Sequence, residues 1–238
     1  MKVLRLHDWQ LERAQARELQ RKLAARVVKE NHVLEPRFIA GMDISTSKIG
    51  GTARAAAVVL KYPELEVVEV KTASGRLEFP YIPGLLSFRE APLTVAVLEK
   101  MSLTPDLVIV DGQGILHPRR FGLASHLGLL LDTPTIGCAK SLLCGEYQQP
   151  AVEAGDYSHV VDKGEVIGAA LRTKAGTNPV YVSIGHKIDL DSAMHWVMQC
   201  CRGYRIPEPT RLAHLAAGGN LKEQEVKPEI TLEGKFFN

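Results

Sequence analysis

Arg37-Phe-Ile-Ala-Gly-Met-Asp43-Ile-Ser45 is the stretch on which the fold turns. Its apolar run suits a buried strand, yet a carboxylate interrupts it, and a buried charge is costly unless it is paired or binds a cation. Downstream, Arg54-Ala-Ala-Ala-Val-Val-Leu-Lys-Tyr62 and Leu65-Glu-Val-Val-Glu-Val-Lys-Thr72 read as two further strands. The spacers, Gly50-Gly51 and Pro63-Glu64, are short, which favours antiparallel neighbours. Upstream, residues 8–31 are rich in helix formers, with Leu19, Leu23, Ala24 and Val27 recurring on one face and Asp8 placed as a cap. One long amphipathic helix with a basic outer face is expected there.

Beyond the three strands the pattern alternates. After Pro80-Tyr-Ile-Pro-Gly84, residues 86–101 have helical spacing, 107–110 form a short apolar strand, 120–131 a helical stretch and 135–138 another strand. Such alternation predicts a parallel portion following the antiparallel one. Residues 166–173 and 179–184 read as a further strand pair, and 191–201 as a helix. The expected fold is α/β, a mixed sheet with helices on both faces. Residues 1–220 are read as a single domain and 221–238 as a polar, loosely held tail.

Composition excludes several classes. No stretch approaches the length of a membrane span, and the first residues, MKVLRLHDWQLERAQ, lack the apolar run of a secretory signal, so a cytoplasmic, soluble protein is expected. Cys138, Cys144, Cys200 and Cys201 form no CxxC pair and no zinc-ligand spacing, which predicts reduced thiols. A net charge of +2 falls short of a protein that coats nucleic acid indiscriminately, so any basic surface must be local. The candidates are Lys61 to Lys71, Arg119 with Arg120, and Arg202, Arg205 and Arg211.

Three carboxylates stand where chemistry is expected. Asp43 breaks the first strand, and Asp111 ends the strand 107–110 and opens the turn Gly112-Gln-Gly114, the position in an α/β sheet where ligands gather. Glu90 lies one turn into the helix that follows Pro83-Gly84. Any one of these acids alone is more often a cap or a turn contact. Together they repel unless a hard divalent cation neutralises them, and an oxygen-rich set suits magnesium or manganese better than zinc. A nuclease, a small-molecule phosphate-ester hydrolase and a non-catalytic binding protein all remain open on these residues.

The order of motifs carries more. Gly41-Met-Asp-Ile-Ser45, Tyr81-Ile-Pro-Gly-Leu-Leu-Ser-Phe-Arg-Glu-Ala-Pro92, Val110-Asp-Gly-Gln-Gly-Ile-Leu-His-Pro-Arg119, Gly137-Cys-Ala-Lys-Ser141 and Arg205-Ile-Pro-Glu-Pro-Thr-Arg-Leu-Ala-His214 resemble the successive motifs of the endonuclease V family, in its bacterial form. The resemblance implies a ribonuclease H-like fold and magnesium-dependent hydrolysis of inosine-containing DNA at the second phosphodiester bond 3′ to the lesion, leaving a 3′-hydroxyl and a 5′-phosphate. Manganese is expected to substitute. An inosine-specific endoribonuclease and a non-catalytic inosine-binding protein are the alternatives.

Carried over to this chain, the resemblance makes Asp43, Glu90 and Asp111 metal-binding carboxylates, with His214 as a further metal-side group. It places His117 and Lys140 beside the cleaved phosphate, and it makes Pro80-Tyr81-Ile82-Pro83 a wedge that fills the gap left by a rotated base. Prolines stiffen such an insertion, and Tyr81 offers a flat face for stacking. Gly84, Leu85, Gly112 and Gly114 would form the lesion pocket, where backbone groups read the edge of hypoxanthine. Arg119 and Arg120 suit phosphate contacts. The protein is expected to act as a monomer.

Overall fold

The computed structural model describes residues 1–46 and 51–227. Its elements are, in chain order, α1 (Arg13–Ala24), β1 (Phe38–Thr46), β2 (Thr52–Lys61), β3 (Glu66–Arg76), α2 (Leu86–Leu98), β4 (Leu107–Val110), α3 (Leu123–Leu131), β5 (Thr135–Ala139), β6 (Tyr157–Asp162), β7 (Glu165–Leu171), β8 (Val180–His186), α4 (Leu190–Gln199) and α5 (Glu208–Ala217). Eight strands make one sheet in the order β3-β2-β1-β4-β5-β8-β7-β6. β4 runs parallel to both β1 and β5, and the other neighbouring pairs are antiparallel. This is the mixed sheet that the strand pattern predicts, and it agrees with the ribonuclease H-like fold that the resemblance implies.

Alternation along the central strands sorts side chains between two cores. Ile39, Leu107, Ile109 and Ile136 pack with Trp196, Val197, Ala213 and Ala216 of α4 and α5. On the other face Ala40, Met42, Val108 and Val110 meet Ala91 and Leu98 of α2 and Leu123 and Leu127 of α3. Gly41 shows how tight the first face is: a Cβ there would lie 1.9 Å from the Pro209 carbonyl oxygen, so the start of α5 rests directly on the β1 backbone.

Four differences from the sequence reading have physical causes. The first helix is shorter than 8–31, beginning at Arg13 with a capping box between Glu12 and Gln15 rather than at Asp8. Residues 1–11 are held by tertiary contacts instead. Leu4 N–H donates to Leu130 O at 2.7 Å, and the rings of His7 and Trp9 pack on His126. Residues 221–227 are not loose. Val70 and Gln224 exchange backbone hydrogen bonds of 2.9 and 3.1 Å, and Glu223 accepts from the N–H and hydroxyl of Thr72. The remainder of the expected tail, 228–238, and Gly50 of the first spacer lie outside the described residues. β6 carries a single buried side chain, Val160, and therefore has no apolar signature. α5, to which the sequence reading assigned no element, has Pro207 as its cap and Pro209 in its first turn, where proline is well tolerated.

Candidate active site

Because β1 and β4 are parallel with Met42 opposite Val110, the next residues of each strand, Asp43 and Asp111, emerge side by side on the α5 face. The Asp111 N–H donates to Met42 O at 2.9 Å and fixes that stagger. From α5, His214 Nδ1 lies 2.7 Å from Asp43 Oδ2. One ligand atom from each of Asp43, Asp111 and His214 falls within 4.8 Å of the other two. Lys140, just past β5, forms an ion pair with Asp111.

Glu90 reaches the same region from α2 but does not join that tight group. Its carboxyl nonetheless feels both aspartates. Burial, followed by the charges of Asp43 and Asp111, pushes its pKa up to about 7. Asp43 is raised as well, first by burial and then by Asp111, with the hydrogen bond from His214 and the charge of Lys140 acting against the shift. Glu90 raised by both aspartates, and Asp43 by Asp111, mark a centre with more negative than positive charge, which a hard divalent cation fits. Asp43, Asp111 and His214 could hold one, with Glu90 alongside.

A cavity of about 400 Å³ opens beside this cluster, with Tyr81, Pro83 and Gly84 along one side and Asp111, Gly112 and Lys140 along the other. Residues 82–85 form a tight turn, closed by the Leu85 N–H donating to Ile82 O at 2.9 Å. Pro83 at the second position and Gly84 with φ +78° at the third are the residues a type II turn demands. Before the turn, Tyr81 is 71% exposed and projects into solvent.

The Endonuclease V family model matches residues 21–215. The chain belongs to the endonuclease V family. Endonuclease V of Dehalococcoides mccartyi is 50% identical over 217 residues, which cover 91% of this chain and 97% of that protein. The crystal structure of endonuclease V from Bacillus subtilis superposes with a TM-score of 0.88 at 32% identity, over 92% of this chain and 96% of that one. A Ciona intestinalis endonuclease V variant, solved in complex with a 23mer DNA containing an inosine followed by a ribo-adenosine, gives a TM-score of 0.75 at 31% identity, over 87% and 95% of the two chains. Membership makes this chain a nuclease of the hydrolase class.

The expected site residues divide. Asp43, Asp111, His214 and Lys140 converge, and Gly84 and Gly112 line the cavity together with Tyr81, Ile82 and Pro83, three residues of the expected wedge. Pro80 faces a neighbouring groove. Leu85 and Gly114 stand behind the cavity wall. Leu85 is fully buried against Ala16 and Phe88, and its N–H is used in the turn. The Gly114 N–H donates to Ser183 Oγ at 2.9 Å, and a Cβ at Gly114 would lie 2.0 Å from Ile184 O, so glycine is needed there for packing.

His117 lines the cavity too, but its ring is already engaged. Its Nδ1 accepts from the Arg119 N–H at 3.0 Å, which leaves Nε2 protonated and donating to Gly84 O at 3.0 Å. Burial, followed by the charge of Arg119, lowers its pKa to about 4. With both nitrogens bonded, the neutral imidazole ties the Arg119 backbone to the Gly84 carbonyl in this arrangement. The expected phosphate arginines are likewise occupied. Arg120 pairs with Asp162 and Glu165 at 2.9 and 2.7 Å, while Arg205 donates to the carbonyls of Asn178, Pro179 and Lys140. Arg211 pairs with Glu208 and lies over the Tyr204 ring. Sequence reasoning missed Gln20, which lines the cavity from α1. Its signal is a polar residue in the buried stripe Ala16, Gln20, Leu23.

Proposed function

We propose that this protein is a magnesium-dependent endonuclease that recognises deoxyinosine in DNA and hydrolyses the second phosphodiester bond 3′ to it, leaving a 3′-hydroxyl and a 5′-phosphate. The observation that carries the reading is the single cavity bounded on one side by an exposed, proline-stiffened wedge and on the other by Asp111 and Lys140 of the carboxylate cluster. A flipped base and the phosphate a short distance along the same strand would thereby meet different walls of one site. The relative solved with inosine-containing DNA supports the choice of lesion.

Magnesium, or manganese in its place, would be held by Asp43, Asp111 and His214 with Glu90 alongside, and when bound it would supply phosphate polarisation and a more acidic water. The chain's own residues do the rest. Tyr81 stacks against the neighbour of the displaced base, and the backbone of Gly84 and Gly112 lies close to the base edge. Lys140 balances the charge of Asp111 and sits where a strand phosphate enters the cavity. His214 orients the Asp43 carboxylate through their 2.7 Å contact. We propose that the protein acts as a monomer. Among the described residues no helix is long and apolar enough to cross a membrane, and we place the activity in the cytoplasm.

The test incubates a labelled duplex carrying one deoxyinosine with protein and magnesium, next to an undamaged duplex and an inosine-containing RNA. The expected result is a metal-dependent nick at the second bond 3′ to the lesion in DNA. Absence of that nick, with the control conditions sound, overturns the reading.

A further inference from the structure

We propose that Gln20 is a positioning residue of the lesion pocket: its carboxamide, acting with Arg119 and His117, clamps the Gly84 carbonyl and so holds the wedge turn over the cavity. The inference rests on reading that cavity as the lesion pocket.

Gln20 is fully buried, in the stripe of α1 that otherwise carries Ala16 and Leu23. An amide in such a place destabilises the fold unless each polar atom is bonded. Here all are. The two hydrogens of Nε2 go to Gly84 O at 3.0 Å and Phe121 O at 2.7 Å, while Oε1 accepts from Arg119 Nε. The neighbours also settle which end of the amide is which, since two carbonyls need the nitrogen and a guanidinium needs the oxygen.

The target of these bonds is unusual. Gly84 O receives Gln20 Nε2, His117 Nε2 at 3.0 Å and an Arg119 terminal nitrogen at 2.5 Å, three donors where a carbonyl offers two lone pairs. The guanidinium comes so close that a Cβ on residue 84 would lie 2.7 Å from it. Three segments remote in sequence, α1, the 117–121 loop and the wedge turn, therefore meet at one oxygen atom. A leucine in place of Gln20 would serve α1 packing equally well, but it would leave the Phe121 carbonyl and Arg119 without this partner. The geometry thus favours a role in fixing the turn. Holding an insertion in its bound shape before DNA arrives lowers the entropy lost on binding.

The test uses full-length Gln20→Met and Gln20→Leu, which keep the approximate volume and remove every bond of the carboxamide. The expected results are at least about tenfold faster amide hydrogen exchange at Leu85 and about tenfold weaker binding of an inosine duplex in calcium. The undamaged duplex should bind as before, and KM should rise while kcat at saturating duplex stays within about twofold. A lower Tm with unchanged Leu85 exchange and an unchanged ratio of the two affinities would make Gln20 a packing residue and overturn the proposal. If the wild-type protein shows no preference for inosine, the lesion-pocket reading fails instead. The Leu85 exchange rates then decide the clamp alone, faster exchange in the variants supporting it and equal exchange ending it.

Discussion

Asp111, which lines the cavity, and Asp43 beside it are placed by the ladder between two buried parallel strands, whereas residues 80–85 belong to no helix or strand. The aspartates inherit their spacing from backbone register, and every neighbouring peptide bond enforces it. The wedge turn inherits its position from side chains reaching in from α1 and the 117–121 loop. The difference teaches where each half is vulnerable. A substitution on the strand side changes charge and ligand atoms without moving the frame, and one on the wedge side moves the frame without touching the ligands.

Asp43→Ala and Asp111→Ala should break the strand side most severely. Cleavage in magnesium should fall by more than about a hundredfold, beyond the range typical of groups that only orient metal ligands, while binding of an inosine duplex in calcium persists. Gel assays of nicking and binding on the same samples check this, and normal cutting by either variant would remove that residue from the site.

The wedge side should respond to acid. His117 has a folded-state pKa of about 4, below the ordinary 6.5, so its neutral form belongs to the native state. The stability associated with that depressed value is complete above pH 6.5 and is lost as pH falls towards 4, because the unfolded chain takes up the proton first. The loss amounts to about 2 to 3 kcal/mol between pH 7 and 4.5. Urea unfolding at both pH values should show this component in the wild type and not in His117→Gln; equal pH dependence would mean that the imidazole is not held neutral.

Tyr81→Ala should weaken inosine binding by about 1 to 3 kcal/mol, the range for one base stacked on an aromatic ring. Its Tm should hardly change, given the exposure of the ring. An unaltered dissociation constant would remove Tyr81 from the interface. The smallest effect belongs to Arg120→Met. Loss of its pairs with Asp162 and Glu165 should reduce stability by about 1 kcal/mol and leave the slope of log affinity against log salt unchanged. A shallower slope would return Arg120 to the phosphate contacts.

Legibility in the sequence followed the same division. Asp43 and Asp111 could be read because each ends an apolar run, and strand periodicity then says which face they share. His214 was visible within a motif, but its helix was hidden by Pro207 and Pro209, whose effect depends on whether they fall in a first turn or an interior one. Lys140 and the wedge were legible only through the family likeness, since a lysine past a strand and a proline-rich turn are common alone. Gln20 left only a faint mark, a polar residue in the buried stripe of α1, and its bonds and the engaged state of His117, Arg120 and Arg205 left none. Each depends on contacts between segments tens of residues apart, which no local pattern encodes.

Residues 221–227 bear on how the molecule keeps its own company. They lie along β3, the outermost strand of the sheet, where Val70 and Gln224 bond reciprocally and Lys71 reaches Glu225 at 2.5 Å. A chain ending at residue 220, where composition alone would draw the boundary, would keep both walls of the cavity. It would also leave the outer N–H and C=O groups of β3 near Val70 open to pairing with strands of other molecules. These few polar residues act as a selvedge, the finished border that stops the sheet from being extended by a neighbour.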